Sequence, residues 1–265
     1  MLAALSPRRR ALVIGVALLL AAVVTVAVVL IAGRMIRPDR ATPDQRRPGP
    51  VLLVPGYGGG TDGLRVLADR IRTTGGRATV VELPGDGTGD LGEQARVLDR
   101  YVTRALQSGA PSVDVIGYSA GGVTARLWAH DYDGAHKARR IVTLGSPHHG
   151  AEIASAGEAF APGACPAACR ELARGSSLLS RLGDRVPDRP AWMSIWTTRD
   201  ETVTPPDSAR LAGAIDVPLQ SVCPDARTAH GGLPTDPLVT GIVLRALSPA
   251  PLRAPASADC RKLSS

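Results

Sequence analysis

The spacing of apolar residues divides this chain into stretches of different period. Residues 11–33 carry no charge and follow Arg8, Arg9 and Arg10. As a helix rising 1.5 Å per residue they would extend about 34 Å, which matches a bilayer core. Val51–Val54 is an unbroken apolar run halted by Pro55, the pattern of a buried strand. Leu64, Leu67, Ala68 and Ile71 then fall at i, i+3, i+4 and i+7, a core-facing helical stripe stopped by Gly75 and Gly76. Residues 78–83 predict the next strand, with Pro84-Gly85-Asp86-Gly87 as its exit turn. Asp90 and Glu93 have capping-box spacing ahead of a helix whose buried face runs through Leu91, Ala95, Leu98, Val102, Ala105 and Leu106. Further strands are predicted at 113–116, 140–144, 191–197 and 217–222, and a helix from Pro237 with Asp236 as its cap.

Strands alternating with helices in this rhythm predict an α/β fold, a mostly parallel sheet with helices on both faces. Residues 151–190 break the alternation. They hold Phe160, Leu172, Leu178, Leu179, Leu182 and two cysteines between two sheet strands, where insertions cover the carboxyl edge. A cap over a site is the expectation, and a structural excursion is the alternative. The chain then divides into a stub and signal-anchor transmembrane helix at 1–33, an Arg- and Pro-rich linker at 34–50, a main domain at 51–248, and a tail at 249–265 that is loose except where Cys260 pins it. The apolar run is longer than the 7–15 residues of a secretory leader, and Ala32-Gly33 is a poor cleavage site, so an uncleaved anchor is expected over a cleaved leader.

Composition changes this picture in three places. The 265 residues contain one phenylalanine, so the core must be built of Val, Leu, Ile and Ala. The net charge of +7 invites a nucleic-acid partner until it is located: residues 1–50 carry eight arginines against two aspartates, net +6, leaving +1 for the rest. With no basic stripe in the main domain, nucleic acid is excluded as a partner. Cys165, Cys169, Cys223 and Cys260 are even in number and lack metal-ligand spacing, which favours two disulfides in an exported domain, with three connectivities open and buried thiols as the alternative. Arginines flank the apolar run on both sides, so positive charge does not orient it; the cysteines place the main domain outside the cell membrane.

The candidate chemistry centres on Ser119. Residues 113–122 read as a β-branched strand, then Gly117-Tyr118-Ser119-Ala120-Gly121-Gly122, then a helix, the layout of a nucleophile elbow rather than a plain glycine-rich turn. Such a turn holds the serine in a strained conformation in which side chains two places before and after would collide, hence Gly117 and Gly121. The glycine-rich loop 56–60 after the first strand is the natural source of a second oxyanion N–H, at Tyr57, beside that of Ala120. Asp200, leaving the 191–197 strand, is the candidate acid, with Glu201 and Asp207 as competitors. His230 is the only histidine downstream of it. His148 and His149 precede the acid and have no neighbouring ligand set, so they are expected to shape the rim; His130 and His136 are expected on the surface. No metal or organic cofactor is implied.

These motifs carry a resemblance. Val-Pro-Gly-Tyr-Gly-Gly at 54–59, Gly-Tyr-Ser-Ala-Gly-Gly at 117–122, Thr-Leu-Gly-Ser-Pro-His-His-Gly at 143–150, Trp-Thr-Thr-Arg-Asp-Glu-Thr-Val-Thr-Pro at 196–205 and His230-Gly-Gly-Leu together resemble an actinobacterial-type lipase or esterase of the α/β-hydrolase superfamily, over roughly 50–248. The resemblance implies a compact α/β-hydrolase fold without the first two strands of the larger form. It also implies carboxylic ester hydrolysis, with Ser119, Asp200 and His230 as a triad and the N–H groups of Tyr57 and Ala120 as oxyanion hole, acting on an acyl ester or lipid. Pro55 stands where relatives often have histidine, which touches loop shape and substrate preference rather than mechanism. An acyltransferase or thioesterase would use the same triad, and a non-catalytic anchored binding protein is the remoter alternative. A monomer is the default oligomeric expectation.

Overall fold

The computed structural model describes residues 8, 15–16, 18–26 and 44–264. The compact unit that holds the sheet is Pro43–Ser265, and Met1–Thr42 forms a separate unit. Residues 18–26 are helical, but among the described residues no helix is long and apolar enough to cross a membrane. The remainder of the expected span at 11–33 lies outside the described residues.

Six parallel strands form one sheet: β1 Val51–Val54, β2 Ala78–Val80, β3 Val113–Tyr118, β4 Ala138–Leu144, β5 Ala191–Trp196 and β6 Ile215–Pro218, in the order β2-β1-β3-β4-β5-β6. Parallel neighbours need crossovers, and the helices that supply them bury both faces. Strand β1 makes this visible. Leu52 and Val54 pack with α2, Leu91–Gln107, and α3, Ala120–Asp131; Val51 and Leu53 pack on the other side with α1, Asp62–Thr73, and α7, Pro237–Leu247. The period of two in each strand meets the stripes of 3.6 in the helices, so two apolar layers close over one sheet. The capping expectations hold in the atoms: Asp90 Oδ1 accepts from Glu93 N at 2.9 Å, and Asp236 Oδ1 accepts from Leu238 N at 2.8 Å and Val239 N at 3.1 Å.

Several boundaries differ from the expected ones. Strand β2 ends at Val80 rather than 83, because the following residues turn towards the loop after β1, where Gly87 lies against Gly59. The expected strand at 217–222 is β6 followed by a helical turn, Leu219–Val222, with Pro218 as the break: its ring removes the N–H a further ladder bond would need. The tail is more firmly held than its composition suggests. Arg139 donates to the carbonyls of Leu247 and Ser248, Arg140 to those of Ala246, Ser248 and Ala250, and Leu263 is buried. At the other end, Gln45 Nε2 donates to Ala135 O and Ala138 O, and Ser112 Oγ to Arg47 O at 2.7 Å, so residues 44–50 lie along the domain.

The 151–190 insertion folds as α4 Glu152–Phe160, α5 Ala167–Glu171 and α6 Ser177–Leu182. It is tied to the β2–α2 loop by Ala168 N donating to Thr88 O at 3.1 Å, and to α2 by Leu91 N donating to Glu171 Oε2 at 2.8 Å. Disulfides join Cys165 to Cys169 inside the insertion and Cys223 to Cys260 across the last helix, and no described cysteine is free.

Candidate active site

The strand order turns back on itself between β1 and β3, since β2 lies to one side of β1 and all later strands to the other. A crevice at such a switch point, at the carboxyl ends of the strands, is where open α/β sheets bind ligands. Ser119 stands there, at the end of β3 and as N-cap of α3, with φ 53° and ψ −126°. A non-glycine residue in this region costs about 1–3 kcal/mol and persists only where the surroundings impose it. Here they do. A Cβ on Gly117 would lie 2.4 Å from Gly122 Cα, and one on Gly121 would lie 2.2 Å from Val54 O, so β1, β3 and α3 approach to distances only glycine allows. Gly56 brings the loop after β1 close as well: its added Cβ would be 3.0 Å from that of Ser119.

The three side chains singled out from distant parts of the chain meet at this edge. His230 Nε2 is 3.0 Å from Ser119 Oγ, and His230 Nδ1 is 2.7 Å from Asp200 Oδ2. Both His230 and Asp200 are buried, while Ser119 is partly open. Asp200 is held by its own turn, Oδ1 accepting from Thr202 N at 3.0 Å and Val203 N at 2.7 Å. The competitors Glu201 and Asp207 are exposed. Because a carboxylate only accepts, its bond assigns the proton of His230 to Nδ1 and leaves Nε2 with a lone pair facing the serine hydroxyl. Tyr57 lies in the turn after β1 with its side chain exposed, and Ala120 is the first residue of α3, whose leading N–H groups have no partner within the helix.

Several residues that the motifs did not single out hold this arrangement. The ring of Tyr118 lies 5.2 Å from that of His230, centroid to centroid, and its hydroxyl donates to His230 O at 3.3 Å. Burial, with the charges of Asp200 and Glu201, pushes the Tyr118 phenol up to about 12, so it stays a donor at any ordinary pH. Gln220 bridges the two loops: its amide donates to Thr197 Oγ1 at 3.0 Å and Ala226 O at 3.1 Å, and its carbonyl accepts from Thr198 N at 2.9 Å. Gly145, at φ +55°, passes so near that a Cβ would sit 3.2 Å from His230 Nδ1 and 3.3 Å from Asp200 Oδ2. The Gly-Ser-Pro step carried a signal for Gly145; nothing local marked Gln220.

The paired histidines divide. His149 is half-exposed, with Nε2 3.0 Å from Arg210 O, consistent with a rim position. His148 is not at the rim but 1% exposed, its Nε2 3.1 Å from Thr143 Oγ1, and burial with Arg126 nearby holds it well below the usual histidine range. Thr143 donates onward to Ser194 Oγ, so the neutral ring ends a polar chain joining β4 to β5. His130 and His136 are on the surface. Among the described residues no group of three or more His, Cys, Asp or Glu side chains could hold a metal ion.

With this geometry in view, comparison with known proteins is informative. Residues 49–162 match a family described as the alpha/beta hydrolase fold. Lipase B from Aspergillus fumigatus superposes with a TM-score of 0.64 at 17% identity, covering 82% of this chain and 56% of its own, so this chain spans just over half that lipase's length. The mature form of lipase BlEst2 from Bacillus licheniformis gives 0.53 at 17% identity, covering 63% of this chain and 81% of its own. The lin2722 gene product of Listeria innocua gives 0.57 at 15% identity, covering 79% and 99%. A six-stranded parallel sheet reversing at β1 and β3, with a strained serine at the reversal, and these likenesses together establish that the chain has the α/β-hydrolase fold.

Proposed function

We propose that this protein is a serine hydrolase that cleaves carboxylic esters, of lipase or esterase type, through an acyl-enzyme. The observation that carries the proposal is the imidazole of His230, spanning 2.7 Å to Asp200 and 3.0 Å to Ser119. His230 Nε2 takes the proton of Ser119 Oγ as the oxygen attacks the ester carbonyl, and the imidazolium is stabilised by the ionised Asp200. The carbonyl oxygen becomes an oxyanion that accepts from the backbone N–H groups of Tyr57 and Ala120, at the positive end of α3. Collapse passes the proton from Nε2 to the leaving alcohol. Water, deprotonated by the same nitrogen, then releases the acid and restores Ser119. Ser119→Ala should lower turnover of p-nitrophenyl butyrate by a factor of about 10⁶ with an unchanged circular dichroism spectrum. Unchanged turnover removes the proposal. Adding an alcohol acceptor to the same assay tells hydrolysis from acyl transfer by the product formed.

The location belongs to the same proposal: an uncharged run at 11–33 ahead of a domain with two disulfides suits a hydrolase tethered to the cell membrane and facing outward. Protease digestion of intact cells tests it. A domain protected until lysis would sink the outward placement, and one found free in the medium would point to leader cleavage instead.

A further inference from the structure

A cavity of about 280 Å³ opens away from the triad, between the far half of α3, the end of α6 and the start of β5. Its first lining residue on α3, Arg126, lies about 10 Å along the helix from Ser119 at 1.5 Å per residue. Leu182, Val186 and Trp192 supply apolar wall. Three of its four charged or titratable residues have partners: His130 with Asp131 at 2.6 Å, Asp133 with His136 at 2.5 Å, and Arg185 with Asp188 at 3.6 Å.

Arg126 is different. It is 3% exposed, and among the described residues it makes no ion pair. Its bonds go to carbonyls only: Nη1 to His148 O at 3.4 Å, and Nη2 to Leu182 O at 3.0 Å and to Gly183 O. Carbonyls satisfy donors but bring no opposite charge, and a buried cation without one is costly. Burial accordingly lowers its guanidinium to about 10, opposed by the charge of Asp184. Trp192, whose ring lines the same wall, keeps its Nε1 buried and without a hydrogen-bond partner.

We propose that this cavity binds a compact carboxylate with an apolar body, its head group on Arg126 and its body against Leu182, Val186 and the Trp192 ring. The volume suits it, since a cavity of about 150 Å³ already holds benzene. One guanidinium matches a monoanion; a phosphate dianion would ask for more donors than the apolar walls offer. Because the ligand would sit on carbonyl-bonded Arg126, between α3 and the insertion helix α6, its arrival would stiffen that junction.

The test is a titration of ¹⁵N-labelled protein with sodium hexanoate and, in parallel, 1-hexanol. The chain has three tryptophans, so three indole signals are resolved and Trp192→Phe assigns the one that matters. Hexanoate should shift the Trp192 signal saturably, and hexanol should do so at least tenfold more weakly. Ala129→Leu, which fills the cavity while leaving the Arg126 guanidinium in the chain, should abolish the shift, and Arg126→Met should erase the preference for the acid. No saturable shift, equal binding of the alcohol, or an undiminished shift in Ala129→Leu overturns the proposal. None of these readouts depends on ester turnover, so it stands or falls apart from the proposed hydrolysis.

Discussion

Replacing Asp200 by Asn separates the charge of this residue from its shape. Oδ1 of Asp200 accepts from two backbone N–H groups, Thr202 at 3.0 Å and Val203 at 2.7 Å, while Oδ2 faces His230 Nδ1 at 2.7 Å. An asparagine must therefore choose. With its oxygen on the backbone, its NH₂ points at His230; turned the other way, the buried Val203 N–H and the partly buried Thr202 N–H lose their acceptor, the buried one at about 1–3 kcal/mol. The first orientation wins by about 2 kcal/mol, or roughly thirtyfold. An NH₂ facing Nδ1 demands a lone pair there, which moves the ring proton to Nε2, opposite Ser119 Oγ. No base then remains at the serine. The expected loss in kcat for p-nitrophenyl butyrate at pH 7 is about 10⁴, with KM little changed and activity rising as hydroxide replaces the lost base. Glu201→Gln and Asp207→Asn, at exposed positions, should keep wild-type rates. A folded Asp200→Asn variant within tenfold of wild type would refute the argument.

Other perturbations follow from the same contacts. Tyr118→Phe keeps the ring against His230 but deletes the bond to His230 O, so kcat should fall about fivefold for one net hydrogen bond of about 1 kcal/mol, with KM unchanged; steady-state kinetics checks it. Burial, with Asp90's carboxyl alongside, pushes Glu171 up to about 7 against the opposing donation from Leu91 N. The folded chain thus holds a proton that the unfolded chain releases near 4.5, and this group makes stability fall as pH rises from there to about 7. Glu171→Gln should remove that slope and raise Tm at pH 8 relative to wild type, as read by calorimetry at pH 5 and 8. Cys223→Ala with Cys260→Ala opens a loop of sequence separation 37, and loop-closure entropy puts the loss at about 4 kcal/mol; urea unfolding measures it.

The parts of this protein that were legible in its letters are those whose causes are local. Apolar runs ending in Pro55 or Gly117 announce strands, Asp90 and Asp236 announce helix starts, and the order of Ser119, Asp200 and His230 selects three side chains that do converge. Illegible features have distant causes. Arg139 reads as a strand-edge charge, yet it is buried because Asp114 on the neighbouring strand and the carbonyls ending α7, more than a hundred residues away, receive it. His148 reads as a polar loop residue and is drawn inside by Thr143 and Ser194. Gln220 joins two loops of the site from a stretch with no motif.

The order of strands has a consequence for synthesis. Growing from its amino end, the chain can lay β2, β1 and β3 side by side before β4 emerges, and each later strand adds to the same open edge. The bent serine turn is thus among the first parts of the sheet edge to be complete, and the imidazole that meets it arrives more than a hundred residues later. A chain lacking everything after residue 200 would hold the shaped turn without the imidazole that faces it. On the proposed function, no ester chemistry is available until nearly the whole domain has been made.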